Sequence, residues 1–273
     1  MAEGDGDGDG EDLHVLLTND DGIDGVGFRV LHRALSEFAE VTAVAPASDQ
    51  SAVGRQLSTS VDVETHELGY AIRGTPADCT VAGLEALCPD VDLVVAGCNK
   101  GANLGEYVLG RSGTISAAVE AAFFDVPAIA VSLYVPASGD RDEADWRELA
   151  TDPGDYAEAR RATTYLARHA YDAGVFDHAD YLNVNAPMPG DGPAPMEITR
   201  PSSLYDMRAS RNGDRVHLED HVWERMRTGD VPDPPGTDRR AIVEGRVSVS
   251  PLTAPHTTEH HDALDALAET YLS

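Results

Sequence analysis

The chain has almost no lysine. Of its 20 basic residues only Lys100 is one, against 48 acidic residues, so the formal net charge over 273 residues is −28. Such a surface repels a phosphate backbone, which speaks against nucleic acid as a partner. Long apolar runs are missing too: no stretch of about 18 apolar residues exists, and nothing reads as a membrane span. The N-terminal residues MAEGDGDGDGED lack the basic, apolar pattern of a signal peptide. Acidic and Gly-rich, residues 1–11 read as a disordered tail. Cysteine is scarce: Cys79, Cys88 and Cys98 form no CxxC pair and fit free thiols in a reducing compartment. The expected location is the cytoplasm.

What is present is organised around LHVLLTNDDGIDGVG, residues 13–27. Leu13–Thr18 is apolar enough for a strand buried on both faces of a parallel sheet. The chain then drops into Asn19, Asp20, Asp21 and Gly22 before a helix-like run from Val26 to Phe38. Two like charges about 4 Å apart cost roughly 4 kcal/mol at an effective dielectric near 20. Protonating one, splaying them, or placing a cation between them relieves this. Asn, Asp and Gly are also ordinary turn residues. The cation is favoured by the other loops, because open α/β sheets bind ligands beyond the carboxyl ends of their strands.

Two further loops follow predicted strands. Val41–Ala45 leads into a loop carrying Ser51, and Val91–Ala96 into Gly97–Gly105 with Asn99 and Asn103. Gly74-Thr75-Pro76-Ala77-Asp78 opens a helix to about Leu87, with Thr75 as N-cap and Asp78 in the first turn. Arg111-Ser112-Gly113-Thr114 precedes a small-residue helix, Ile115–Phe124. There, hydroxyls and backbone N–H groups make either an anion site or a plain cap. Pro127–Leu133 reads as a buried strand, Val135–Asp152 as a polar insertion, Tyr156–Tyr171 as an amphipathic helix and Tyr181–Asn185 as the last core strand. Beyond Pro189, the short runs Val216–Leu218, Ala241–Val243 and Arg246–Val249 suggest an antiparallel arm, with Asp262–Leu272 closing as a helix. His256, Glu259, His260 and His261 lack the His-Glu-x-x-His order of a zinc helix and read as a solvated face.

The fold expected is α/β: a core with a mostly parallel sheet, residues 12–189, followed by an antiparallel C-terminal arm, residues 190–273. In a parallel sheet the three loops converge. Asp20 and Asp21, the Ser51 hydroxyl and an amide oxygen of Asn99 or Asn103 form an all-oxygen set suited to Mg²⁺ or Mn²⁺. Ser112 and Thr114 at a helix start add a phosphate cradle, and the implied chemistry is phosphoryl transfer to water. Asp20 is the expected general base, with an aspartyl-phosphate route as the competitor.

LLTNDDGIDGVG, VTAVAPASDQSAVG, GTPADC, DLVVAGCNKGANLG, SGTISAA, VPAIAVSL, LNVNAP and GTDRRAIVEGRVSVSPL occur in this order, and together they resemble the SurE survival-protein nucleotidases. The resemblance implies a 5'-nucleotidase that hydrolyses nucleoside monophosphates with one divalent ion per subunit, through a metal-activated water. It implies Asp20, Asp21, Ser51 and Asn99 as metal ligands, and Asn103, Ser112, Gly113 and Thr114 as phosphate contacts. It also implies a Rossmann-like three-layer core and a homodimer or homotetramer joined through the C-terminal arm. Three departures bear on substrate preference. There is one more residue than usual between Asn103 and Ser-Gly-Thr, Gly110-Arg111 stands where an aromatic commonly precedes the serine, and Arg55 where histidine is frequent. A dehydrogenase fits poorly, since Gly22, Gly25 and Gly27 do not spell GxGxxG. A non-catalytic nucleotide sensor and an assembly protein remain the readings from other classes.

Acid-rich, lysine-poor composition points to a high-salt source, because screening over about 3 Å at 1 M, against about 10 Å at 0.1 M, shrinks the self-repulsion. The thermal unfolding midpoint is expected to fall as salt is lowered from multimolar to dilute buffer. An unchanged midpoint at both ends contradicts the high-salt reading.

Overall fold

The computed structural model describes residues 13–88, 90–136, 149–254, 256 and 262–270. The expected tail, residues 137–148 of the insertion, and Glu259, His260 and His261 lie outside them. The first half builds a sheet from β1 (His14–Thr18), β2 (Glu40–Pro46), β3 (Asp62–His66), β4 (Gly69–Arg73) and β5 (Leu93–Lys100). Helix α1 (Val26–Leu35) links β1 to β2, and α2 (Pro76–Ala82) leads toward β5. After β5 come a one-turn helix α3 (Glu106–Leu109), α4 (Gly113–Phe123), β6 (Ala128–Tyr134), α5 (Ala157–His169) and β7 (Tyr181–Pro187). The C-terminal part contributes β8 (Met196–Ile198), β9 (Met207–Asn212), β10 (Arg215–Asp220), α6 (His221–Thr228), α7 (Asp238–Val243), β11 (Val247–Leu252) and α8 (Asp262–Thr270).

Nine strands form one sheet in the order β3-β4-β2-β1-β5-β6-β7-β11-β8. From β4 to β7 every neighbour is parallel. This is the expected α/β fold, and β1 lies near its middle. Side chains alternate across a strand, so Val15 and Leu17 enter one core layer with Phe28, Leu31 and Leu35 of α1 and Ala159 and Leu166 of α5. Leu16 enters the opposite layer with Cys79 of α2 and Ile115 and Ala118 of α4. Helices on both faces explain why β1 reads as a continuous apolar run. The predicted start of α2 is there in full: Thr75 Oγ1 accepts from Asp78 N, while Asp78 Oδ2 accepts from Thr75 N, a reciprocal capping box. No helix among the described residues is long and apolar enough to cross a membrane.

Three local expectations are corrected. Tyr181–Asn185 does not end the sheet, because β11 pairs antiparallel with β7 and β8 parallel with β11. Ala241–Val243 is helical, lying within α7. Asp238 in its first turn accepts backbone N–H bonds from Gly105, Ser202 and Arg239, and Ala241 N donates to Thr237 O at 3.0 Å. A three-residue apolar run cannot by itself distinguish strand from helix. Finally, β5 does not stop at Ala96. It continues to Lys100 after a register shift against β6 between Ala96 and Asn99, so Asn99 sits on a bulged strand rather than in a loop. Val216–Leu218 does form the expected antiparallel hairpin, β10 with β9.

The approach of α1 to this bulge depends on Gly27. A Cβ there would lie 2.4 Å from Cys98 O and 2.6 Å from Tyr156 Cε1, closer than packed atoms allow. Gly27→Ala is expected to lower unfolding free energy by about 1–3 kcal/mol through overpacking, read from denaturant titration in high salt.

Candidate active site

The turn after β1 and the cluster of acids are one structure. Asn19 Nδ2 donates to Gly22 O at 2.8 Å, and Ile23 N donates to Pro46 O at 2.9 Å, tying the turn to the end of β2. Asp20, buried, faces the start of α4. Thr114 Oγ1 donates to its Oδ1 at 2.7 Å and Thr114 N to its Oδ2 at 3.3 Å. Those bonds and the positive end of the helix favour the carboxylate, but burial outweighs them and pushes its pKa up to about 6. Asp21 Oδ2 accepts from Lys100 N at 2.8 Å. Burial first and the charge of Asp20 second push Asp21 up to about 7.

The other expected ligands converge unequally. Gln50 N donates to Asp20 O at 2.7 Å, which brings the loop after β2 against the acids. Ser51 itself is exposed, with N and Oγ donating to Asp49 Oδ1 at 2.8 and 2.6 Å. Asn99 is nearly buried and precedes the residue whose N–H holds Asp21. Its Nδ2 donates to Gly101 O at 2.6 Å, which leaves Oδ1 as the acceptor end of the amide. Among the described residues no three His, Cys, Asp or Glu side chains group as a metal site would require. A cation held here would draw on hydroxyl and amide oxygens as well. Two adjacent carboxylates, Asp20 buried and Asp21 half-buried, suit a hard divalent ion. Space is kept open by Gly113, where a Cβ would come 2.9 Å from Asp20 Cβ and 3.1 Å from Asp20 Oδ2.

Of the expected phosphate contacts, Ser112 acts as the N-cap of α4, with Oγ accepting from Ile115 N at 3.1 Å. Thr114 spends its hydroxyl on Asp20. Asn103 is held by side chains to which the sequence reading gave no role: Asn185, Asn183 and Ser132. Asp238 and Arg239 were missed as well. Asp238 Oδ2 accepts from Gly105 N at 2.7 Å, while buried Arg239 donates to Leu104 O at 3.3 Å and Leu204 O at 2.9 Å. Their signal was the charged run Asp238-Arg239-Arg240 inside GTDRRAIV. Arg55 bonds Glu120 at 2.6 Å and lies over Phe123, and Arg111 lies over Tyr107, so both guanidinium groups have protein partners. Exposed His256 takes no part. A cavity of about 730 Å³ beside α1, lined by Val30, His32, Arg33, Leu68 and Arg160 among others, contains none of these residues.

Both raised pKa values lie above the ordinary 3.8 of an aspartate. Between about pH 4 and 7 the metal-free folded chain thus binds more protons at this pair than the unfolded chain, and stability falls as pH rises. Asp21→Asn removes one of the two charges that titrate and leaves Asp20 in place. In EDTA, wild type is expected to lose stability relative to Asp21→Asn as pH rises from about 4 to about 7. Mn²⁺ is expected to restore wild type and leave the variant unmoved, with thermal melts across the pH series as the measure.

The family described as Survival protein SurE matches residues 15–207. The chain is 66% identical over 263 residues to the 5'-nucleotidase SurE of Haloquadratum walsbyi, covering 96% of this chain and 98% of that protein. To the 5'-nucleotidase SurE of Haloarcula marismortui it is 65% identical, covering 94% of each. Its structure is similar to the crystal structure of the SurE protein from Aquifex aeolicus, with a TM-score of 0.73 at 26% identity, covering 94% of this chain and 99% of that one. With paired carboxylates at the end of the central strand and this likeness along nearly its whole length, the chain belongs to the SurE family.

Proposed function

We propose that the chain is a metal-dependent 5'-nucleotidase that hydrolyses nucleoside monophosphates to nucleoside and phosphate. The observation that carries the reading is the pair Asp20–Asp21, adjacent, largely withdrawn from water and raised in pKa, with the N-terminus of α4 on one of them. Names borne by close relatives support it. Asp20, Asp21, Ser51 and Asn99 hold one divalent cation, Mg²⁺ or Mn²⁺. That ion, when bound, neutralises the carboxylates and polarises the phosphoryl group. Asp20 is the general base, its carboxylate oriented by the hydroxyl and N–H of Thr114. Asn103, the Ser112 hydroxyl, the Gly113 N–H and Thr114 receive the phosphate, and Thr114 also links that cradle to Asp20.

The protein works in the cytoplasm of a cell rich in salt, in keeping with its haloarchaeal relatives. It assembles as a homodimer or homotetramer through the C-terminal arm, residues 190–273. Support comes from the β9–β10 hairpin, whose Val216 and Leu218 are exposed in the single chain, a pattern that a neighbouring subunit would cover.

In high salt with Mn²⁺, the purified chain is expected to release phosphate from AMP or GMP, and to stop on chelation. Asp20→Asn and Asp21→Asn are each expected to lower kcat/KM by about 10²–10⁴-fold. Nucleotide binding without turnover under either metal, or both variants within tenfold of wild type, would sink the assignment.

A further inference from the structure

We propose that Asn185, acting with Asn183 and Ser132, is a positioning residue for hydrolysis: it clamps the main chain at Asn103 and thereby places the Asn103 amide for the phosphate. This rests on the reading of Asn103 as a phosphate contact.

Asn103 is engaged at its backbone and its side chain by two strands. Its N–H donates to Asn185 Oδ1 at 2.8 Å. Its carbonyl accepts from Asn183 Nδ2 at 2.9 Å and Asn185 Nδ2 at 3.1 Å. Its own Nδ2 donates to Ser132 Oγ at 2.8 Å. A further bond, Asn185 Nδ2 to Asn183 Oδ1 at 3.3 Å, ties the two clamping amides together. Ser132, Asn183 and Asn185 are wholly buried.

These polar side chains occupy the interior of a sheet whose central strands are otherwise mostly Val, Ile, Leu and Ala. A strand that needed only stability fills such places with β-branched apolar residues, since a buried amide costs free energy unless every group is paired. Here the pairing converges on a single loop residue. The loop has little stiffness of its own: Gly101 and Gly105, on either side, have φ of +132° and +89°, a region open to glycine. Its ends are tied by Gly101 N to Leu133 O at 3.0 Å and Gly105 N to Asp238 Oδ2 at 2.7 Å. The middle is set by β6 and β7.

The register adds a link to the acids. Asn99 on β5 stands opposite Ser132 on β6, and Ser132 stands opposite Asn185 on β7. One row across three strands thus begins at a proposed metal ligand and ends at the clamp. Chemically, Ser132 takes one of the two hydrogens on Asn103 Nδ2 and leaves the second for a phosphate oxygen. Loss of the clamp frees the loop, and misplacement of about 1 Å is enough to cost a hundredfold in rate.

The test is kcat/KM for AMP with Mn²⁺ in high salt, measured together with thermal midpoints. Asn185→Ala and Ser132→Ala are expected to lose about 10- to 100-fold. Ser132→Ala removes only one hydroxyl and serves where the larger truncation disturbs folding. Thr163→Ala, a buried hydroxyl in α5 bonded to Ala159 O, is expected to lower the midpoint and keep kcat/KM. The variant Asn103→Ala combined with Asn185→Ala is expected to be no worse than Asn103→Ala alone, because the second residue acts through the first. The proposal is overturned if Asn103→Ala is impaired while Asn185→Ala and Ser132→Ala keep wild-type kcat/KM, or if the two losses multiply. If Asn103→Ala itself keeps wild-type kcat/KM, the phosphate reading of Asn103 fails and the proposal with it.

Discussion

Two neighbouring carboxylates withdrawn from water are the constraint around which this fold is arranged. Asp20 is buried because β1 is a central strand with helices on both faces, so its carboxyl end opens into the molecule rather than onto the surface. Nothing in hydrophobic packing favours charge there; desolvation is the leading cause of both raised pKa values. The structure answers with the hydroxyl and N–H of Thr114 for one acid and the Lys100 N–H for the other. These bonds offset the penalty only in part. A site that stays unfavourable by itself and becomes favourable with a cation has its stability tied to its ligand, as catalytic centres commonly do.

Much of this was legible because local chemistry and the tertiary environment agree. The unbroken apolar run of β1 reports burial on two faces, Thr75-Pro76 with Asp78 spells a capped helix start, and Ser112 heads α4 as its N-cap. Such features need only a few consecutive residues. What escaped depends on partners distant in sequence. Asn99 looked like a loop residue because Gly97 and Gly101 surround it, whereas pairing with β6 carries the strand past a bulge. Ala241–Val243 is short enough to suit either period, and it is helical because Asp238 binds amides 133 and 36 residues away in Gly105 and Ser202. Asn183 and Asn185 were visible as letters in LNVNAP, yet no rule of spacing says that both face Asn103, some 80 residues earlier.

The polar residues of the sheet share a pattern. Asn99, Ser132, Asn185 and Ser248 are successive partners across β5, β6, β7 and β11, and Thr199 Oγ1 then bonds both Ser248 and Ser250. A polar row running through the sheet near the carboxyl ends of its parallel strands marks where the apolar core gives way to the proposed site. Below it Val95, Ile129, Val131 and Val184 are fully buried and carry the stability. Above it, mutual satisfaction of amides and hydroxyls replaces dispersion and fixes a single arrangement. In a strand, depleted residue types at alternate positions are a better pointer to function than an isolated loop motif.

An acidic chain that takes an anionic substrate also needs a local source of attraction. With a net charge of −28 the long-range field repels a nucleotide, and in molar salt that field reaches only about 3 Å. Steering from a distance therefore contributes little in either direction. In the proposed site recognition would fall to groups in contact: the first N–H groups of α4, the side chains of Asn103 and Ser112, and the cation. Each acts within hydrogen-bonding or coordination distance, where salt screens least. The surface is free to accumulate acid, while buried Asp20 keeps its own electrostatics because the central strand and the start of α4 enclose it.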